Sequence, residues 1–145
     1  MKYKTEVEIN LPREGIIELF DNSENLKKWQ PDLKEFKHLE GEAGRTGAKS
    51  LLIYEERGKI VEMTETLIKR DLPNVFVAKY ETKGVKNINH NHFHIVDEKT
   101  TRWIMTNEFK FRGFMSIFAL FMRRSFSKQT LRDMNTFKEF AEKSS

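Results

Sequence analysis

The sequence predicts an α+β fold in which a curved, seven-stranded antiparallel sheet wraps a long C-terminal helix, with two short helices after the first strand. Three observations carry this. Residues 2–10 alternate apolar and charged. Strand-like segments separated by turn residues then run from Leu33 to Arg112. From about Ser116 the pattern becomes helical and holds to Lys143. An antiparallel sheet with one face covered by a helix is a stable way for such elements to bury their apolar sides.

The first strand places Tyr3, Thr5, Val7 and Ile9 on one face and Lys2, Lys4, Glu6 and Glu8 on the other. Pro12 suits the first turn of a short helix carrying Ile16, Ile17, Leu19 and Phe20. Ser23 is placed to cap a second short helix, Glu24 to Trp29, which Pro31 ends. Six strands follow: Leu33–Leu39, Ala48–Glu56, Lys59–Lys69, Val75–Thr82, Val85–Asp97 and Thr100–Arg112. Arg57-Gly58, Leu72-Pro73-Asn74, Lys83-Gly84 and Asp97-Glu98-Lys99 are the turn signals between them. Leu131, Met134, Phe137, Phe140 and Ala141 form the apolar stripe of the last helix.

A chain of 145 residues fits one domain, spanning 1–145, with room for a core. Its net charge of +4 is spread among 22 acidic residues, which gives no nucleic-acid signature. The absence of cysteine excludes disulfides and thiolate chemistry. No apolar run approaches the roughly 20 residues of a membrane span, and the stretch Met1 to Glu6 alternates where a signal peptide would be apolar, so none is expected. These features predict a cytoplasmic protein, monomer or homodimer, with no stable membrane insertion.

The stretch Gly41 to Ser50, GEAGRTGAKS, has the look of a phosphate-binding loop. Ala48 separates Gly47 from Lys49, however, and a strand follows where a helix N-terminus is needed. It reads as a glycine-rich loop between strands, at the mouth of a cavity.

Two-residue turns at Arg57-Gly58 and Lys83-Gly84 fix which residues share a face. Tyr54 then opposes Val61, Leu52 opposes Met63, and Ser50 opposes Glu65. Tyr80 opposes Asn87, Ala78 opposes Asn89, and Phe76 opposes Asn91, with Phe93 next in line. In the last strand Trp103, Met105, Asn107, Phe109 and Phe111 share a face. The last hairpin stays open. A four-residue loop sets Trp103 beside His94; the alternative sets it beside Ile95 on the Phe93 face, and is preferred because it keeps the charged face continuous.

The inward set is apolar with scattered polar groups. A solid core must pair every such group. A cavity accepts them in contact with water or ligand, and this mixture is what small-molecule pockets use. Both remain open, the cavity favoured.

His90, His92 and His94 project from one strand face, but same-face neighbours lie roughly 6.6 Å apart, too far for all three to reach one ion comfortably. The same register puts them with Lys79, Glu81 and Lys86, and a solvated outer face is favoured over a metal site. Arg123, Arg124, Lys128 and Arg132 with the nearby phenylalanines read as a helix that buries its rings and solvates its charges.

Taken whole, the chain resembles the helix-grip superfamily: START lipid-binding domains, birch-pollen-allergen-like proteins and polyketide cyclase/dehydrase-like proteins (the SRPBCC group). The likeness rests on the element order and on Phe20 to Trp29, Gly47 to Ser50, Tyr80 to Val85 and Thr100 to Trp103. It implies a hydrophobic cavity between sheet and helix that takes lipids, sterols, polyketides or hormones. It carries no shared catalytic motif.

The expectation is therefore a protein that binds a hydrophobic small molecule without a cofactor or metal. Trp29, Leu52, Tyr54, Met63, Tyr80, Phe93, Trp103, Met105, Phe109, Phe118 and Met122 would form the walls. Glu65, Asn87, Asn91 and Asn107 would orient the polar end. The loop Gly41–Gly47 and the start of the long helix would form the entrance. A cyclase/dehydrase-type enzyme using Glu65 as acid–base, and a protein-interaction module, are the alternatives. No catalytic residue is assigned, and whether a reaction occurs stays open.

Overall fold

The computed structural model describes residues 1–113 and 115–144; for residues 115 and 118–121 only the backbone is described. Strand β1 (Lys2–Ile9) leads into helix α1 (Arg13–Phe20), a 3₁₀ turn (Ser23–Asn25) and helix α2 (Leu26–Trp29). Strands β2 (Leu33–Glu40), β3 (Lys49–Glu56), β4 (Lys59–Asp71), β5 (Val75–Thr82), β6 (Val85–Asp97) and β7 (Thr100–Phe111) follow, and then helix α3 (Met115–Lys143). The predicted elements are all present. One detail differs: Asn22, not Ser23, caps the second helical segment, its side chain accepting from the Glu24 N–H at 3.0 Å. The segment starts as a 3₁₀ turn, which moves the capping position back by one residue.

All seven strands form one antiparallel sheet in the order β1-β7-β6-β5-β4-β3-β2. The two expected hairpin registers are as predicted: Tyr54 opposes Val61, and Tyr80 opposes Asn87. Arg57 and Gly58 have φ 51° and 79°, the pair of left-handed residues that a tight hairpin turn demands. The last hairpin differs from both registers considered. Trp103 opposes Phe93 itself, His94 opposes Arg102, and Ile95 opposes Thr101. An irregularity between Ile95 and Asp97 leaves Val96 out of the ladder, shifting the register by the one residue that turn counting omits. Trp103 still lies on the Phe93 face, as preferred.

Helix α3 packs across β1, β7 and α2. The inner sheet face is organised in rows that cross the strands. Val7, Trp103 and Phe93 form one row. With Ile9, Ile16, Met134, Phe137 and Ala141 they make the solid core, closed by Trp29 from α2. Trp103 is its centre: its ring stacks on Phe93 at 6.0 Å and meets Phe137 edge-on at 5.2 Å.

Candidate ligand-binding cavity

Farther along the same face the helix keeps to the β1–β7 side, meeting Thr5, Tyr3 and Phe109 through Met134, Thr130 and Phe126, and leaves the strands beyond open to a cavity. The next rows are Thr5–Met105–Asn91–Phe76, then Tyr3–Asn107–Asn89–Ala78–Leu67, then Phe109–Asn87–Tyr80–Glu65–Ser50. Over them lies a cavity of about 550 Å³, walled also by Phe20, Trp29, Gln30, Thr130 and Asp133. Ala43 and Gly44 of the glycine-rich loop reach its edge, with Arg70, Asp21 and Ser23 beside them. Asp21 and Arg70 form a bidentate ion pair there, tying the end of α1 to β4.

Of the residues picked from sequence, Trp29, Tyr54, Met63, Glu65, Tyr80, Asn87, Asn91, Met105, Asn107 and Phe109 line this space. Leu52, Phe93, Trp103 and Met122 do not. Phe93 and Trp103, at 1% and 0% exposure, belong to the solid core, because α3 presses Phe137 onto their row. Leu52 is buried at 2%, and Met122 on α3 is half-buried outside the lining. The Phe118 side chain lies outside the described residues, as do those of residues 115 and 119–121 at the start of α3.

Sequence reading misses Tyr3, Phe20, Gln30, Asn89, Thr130 and Asp133 as lining residues. Asn89 and Tyr3 sit on the inward face, so strand alternation is a signal that reaches them. Asp133 has no such signal, since on a helical wheel it belongs to the charged flank of the stripe.

Two polar clusters face the cavity. In the first, the Tyr80 hydroxyl donates to Glu65 Oε2 at 2.8 Å, and Tyr54 donates to Gln30 Oε1 at 2.7 Å. Burial pushes the Glu65 carboxyl up, the Tyr80 hydrogen bond opposing it. Burial, and then the Glu65 charge, push both tyrosines up. Asp133, exposed at the rim, is also raised, first by partial desolvation. The second cluster is a ladder of asparagines. Trp103 Nε1–H donates to Asn91 Oδ1 at 2.9 Å; Asn91 Nδ2 donates to Asn89 Oδ1 at 2.6 Å; Asn89 Nδ2 donates to Asn107 Oδ1 at 2.7 Å. Asn87 Nδ2 donates to the same Asn107 oxygen at 3.0 Å.

The Glu65 shift predicts a stability effect with a defined sign. The folded state holds the Glu65 proton more tightly than the unfolded chain does, so folding favours the neutral acid. The cost of ionisation is absent below the ordinary carboxyl value of 4.5 and full above the raised folded value. Glu65→Gln keeps an oxygen acceptor for Tyr80 and removes that cost. Thermal unfolding should show Glu65→Gln more stable than the parent at pH 7, with the gap closing toward pH 4. An equal gap at both pH values would contradict the assignment.

On the outer face, His92 and His94 rings stack at 6.1 Å. His92 is held low by burial and then by His94, His90 and Lys69. Among the described residues no three His, Asp or Glu side chains are placed to share a metal ion, and no helix is long and apolar enough to cross a membrane.

The fold has counterparts among solved structures. The Thermus thermophilus protein TTHA0849 superposes with a TM-score of 0.78 at 18% identity, over 100% of this chain and 99% of its own. The Zhui aromatase/cyclase from Streptomyces gives 0.78 at 14% identity, over 98% and 93%. Ara h 8.0201 gives 0.74 at 13% identity, over 97% of both chains. The chain has the helix-grip fold. It shares this fold with the aromatase/cyclase and with Ara h 8.0201, and here the cavity lies between the sheet and Thr130 and Asp133 of α3. No family model matches the chain, and no curated protein matches it.

Proposed function

We propose that this helix-grip protein binds a hydrophobic small molecule with a polar end. One observation carries the reading: a cavity of about 550 Å³ with apolar walls and two polar clusters. That volume lies within the range of roughly 300–1,000 Å³ typical of small-molecule pockets. Trp29, Met63, Met105 and Phe109 supply apolar surface, and the Glu65–Tyr80 and asparagine clusters supply orientation. Native mass spectrometry of the protein purified from its own host, followed by organic extraction, tests this. A stoichiometric apolar mass is expected. A bare protein that no lipid, sterol or aromatic polyketide stabilises thermally would sink the proposal.

A second reading is favoured by one feature, the half-buried Glu65 carboxyl on the cavity wall with its raised proton affinity. A carboxyl that holds its proton more tightly than usual can serve as general acid or base. Among proteins of this fold, the Zhui protein is an aromatase/cyclase, and norcoclaurine synthase from Thalictrum flavum has been seen with dopamine and hydroxybenzaldehyde. If Glu65→Gln abolished turnover of a candidate substrate while sparing its binding, the enzyme reading would replace the carrier reading.

A further inference from the structure

The asparagine ladder has a direction, and the direction says what the cavity offers its ligand. An indole N–H can only donate. Trp103 is fully buried, so its N–H fixes Asn91 with the oxygen toward the ring. Asn91 must then turn its NH₂ to Asn89 Oδ1, and Asn89 must turn its NH₂ to Asn107 Oδ1. Asn87 donates to that oxygen as well. Asn107 is thereby locked with its carbonyl inside the ladder. Its Nδ2, carrying two N–H groups, has no partner among the described residues, although Asn107 is only 2% exposed and lines the cavity. Asn87 Oδ1 and Trp29 Nε1 also lack a partner but are enclosed by protein, whereas Gln30 Nε2 and Ser50 Oγ, on the far side of the cavity lining, belong to the other polar cluster's wall.

The charges around the cavity narrow the class further. Asp21, Glu65, Asp133, Arg70 and His38 line it. Arg70 is taken by Asp21, and His38 Nε2 bonds the Gly41 carbonyl at 2.7 Å. No cation is left among them to receive a carboxylate, which would also face Glu65 and Asp133.

Resting on the binding reading above, we infer that the polar end of the ligand is a neutral carbonyl oxygen, of a ketone, aldehyde or amide, which accepts from Asn107 Nδ2. A hydrocarbon end would leave the amide unpaired, and a carboxylate would be repelled. Asn107 is thus a specificity-determining residue whose orientation is set by Trp103 through two intervening asparagines.

The test uses the full chain and probes that differ only in their polar end: 2-ethylnaphthalene, 2-acetylnaphthalene and 2-naphthoate. Each competes with N-phenyl-1-naphthylamine, an uncharged apolar dye. The ketone should bind about five- to tenfold more tightly than the hydrocarbon, the worth of one hydrogen bond, and the carboxylate most weakly. At pH 8 Asn107→Asp keeps an acceptor for Asn87 and Asn89 but turns an oxygen to the cavity. It should erase the ketone's advantage, as should Asn107→Leu. A dye that binds with no preference for the ketone, a preference that survives both substitutions, or a carboxylate that binds best would each overturn the inference while leaving the cavity reading standing. A chain that binds neither the dye nor any naphthalene would overturn both. Should the variants not fold, the side-chain amide protons of Asn107 in the parent protein decide by NMR. They should move downfield with 2-acetylnaphthalene and not with 2-ethylnaphthalene; equal responses would refute the assignment.

Discussion

Phe137→Ala should lower folding stability by about 3–5 kcal/mol, the usual cost of removing a buried phenyl ring. Phe137 is fully buried and is the point where α3 grips the sheet. Its ring meets Trp103 at 5.2 Å, Trp29 at 5.1 Å and Phe20 at 6.1 Å, each nearly perpendicular. These residues come from β7, α2 and α1, so no single neighbour can close the gap its loss would leave. Differential scanning calorimetry should show a fall in Tm of roughly 10 °C for a chain this size. A fall of only a degree or two would mean that the helix is held elsewhere.

Trp103→Phe should cost about 1–3 kcal/mol beyond the lost ring volume, because Asn91 Oδ1 would be left buried without its donor. Asn91 is 1% exposed, and its oxygen is turned to the indole and away from the cavity. A double-mutant cycle with Asn91→Leu isolates the effect. Once Asn91 has been replaced, Trp103→Phe should cost measurably less than it does in the parent. If the two losses simply add, the indole–amide bond contributes nothing to stability. Chemical denaturation of the four proteins supplies the numbers.

These expectations show how much the chain discloses before it is folded. Two-residue turns at Arg57-Gly58 and Lys83-Gly84 count out the pairing of β3 with β4 and β5 with β6, because a tight turn permits one register. The β6–β7 pairing escapes such counting, since the irregularity at Val96 has no signature in side-chain polarity. The inward face is legible by alternation, which places Glu65, Tyr80, Asn87 and Asn107 on it. Alternation cannot tell packed core from open space on the same face. That division depends on where α3 rests: it presses on the Val7–Trp103–Phe93 row, but farther along it meets Tyr3 at the sheet edge through Thr130 and leaves Asn107 and Asn89 facing the cavity. For want of that one fact, sequence reading assigns Phe93 and Trp103 to the cavity walls.

The strand order has a consequence for how the protein is made. Strands β2 to β7 join successive neighbours, so each can pair with its predecessor as the chain leaves the ribosome. Strand β1 cannot, for its only partner is β7, Lys2 lying opposite Glu108. At about 5–20 residues per second, the N-terminal strand waits roughly 5–20 s for its partner to be synthesised. Throughout that interval Tyr3, Val7 and Ile9 have no sheet to bury them, and an unpaired apolar strand invites association with other chains. The strand that emerges before the other six is thus the last to be secured, and the nascent chain is at its most vulnerable to aggregation until β7 and the closing helix arrive.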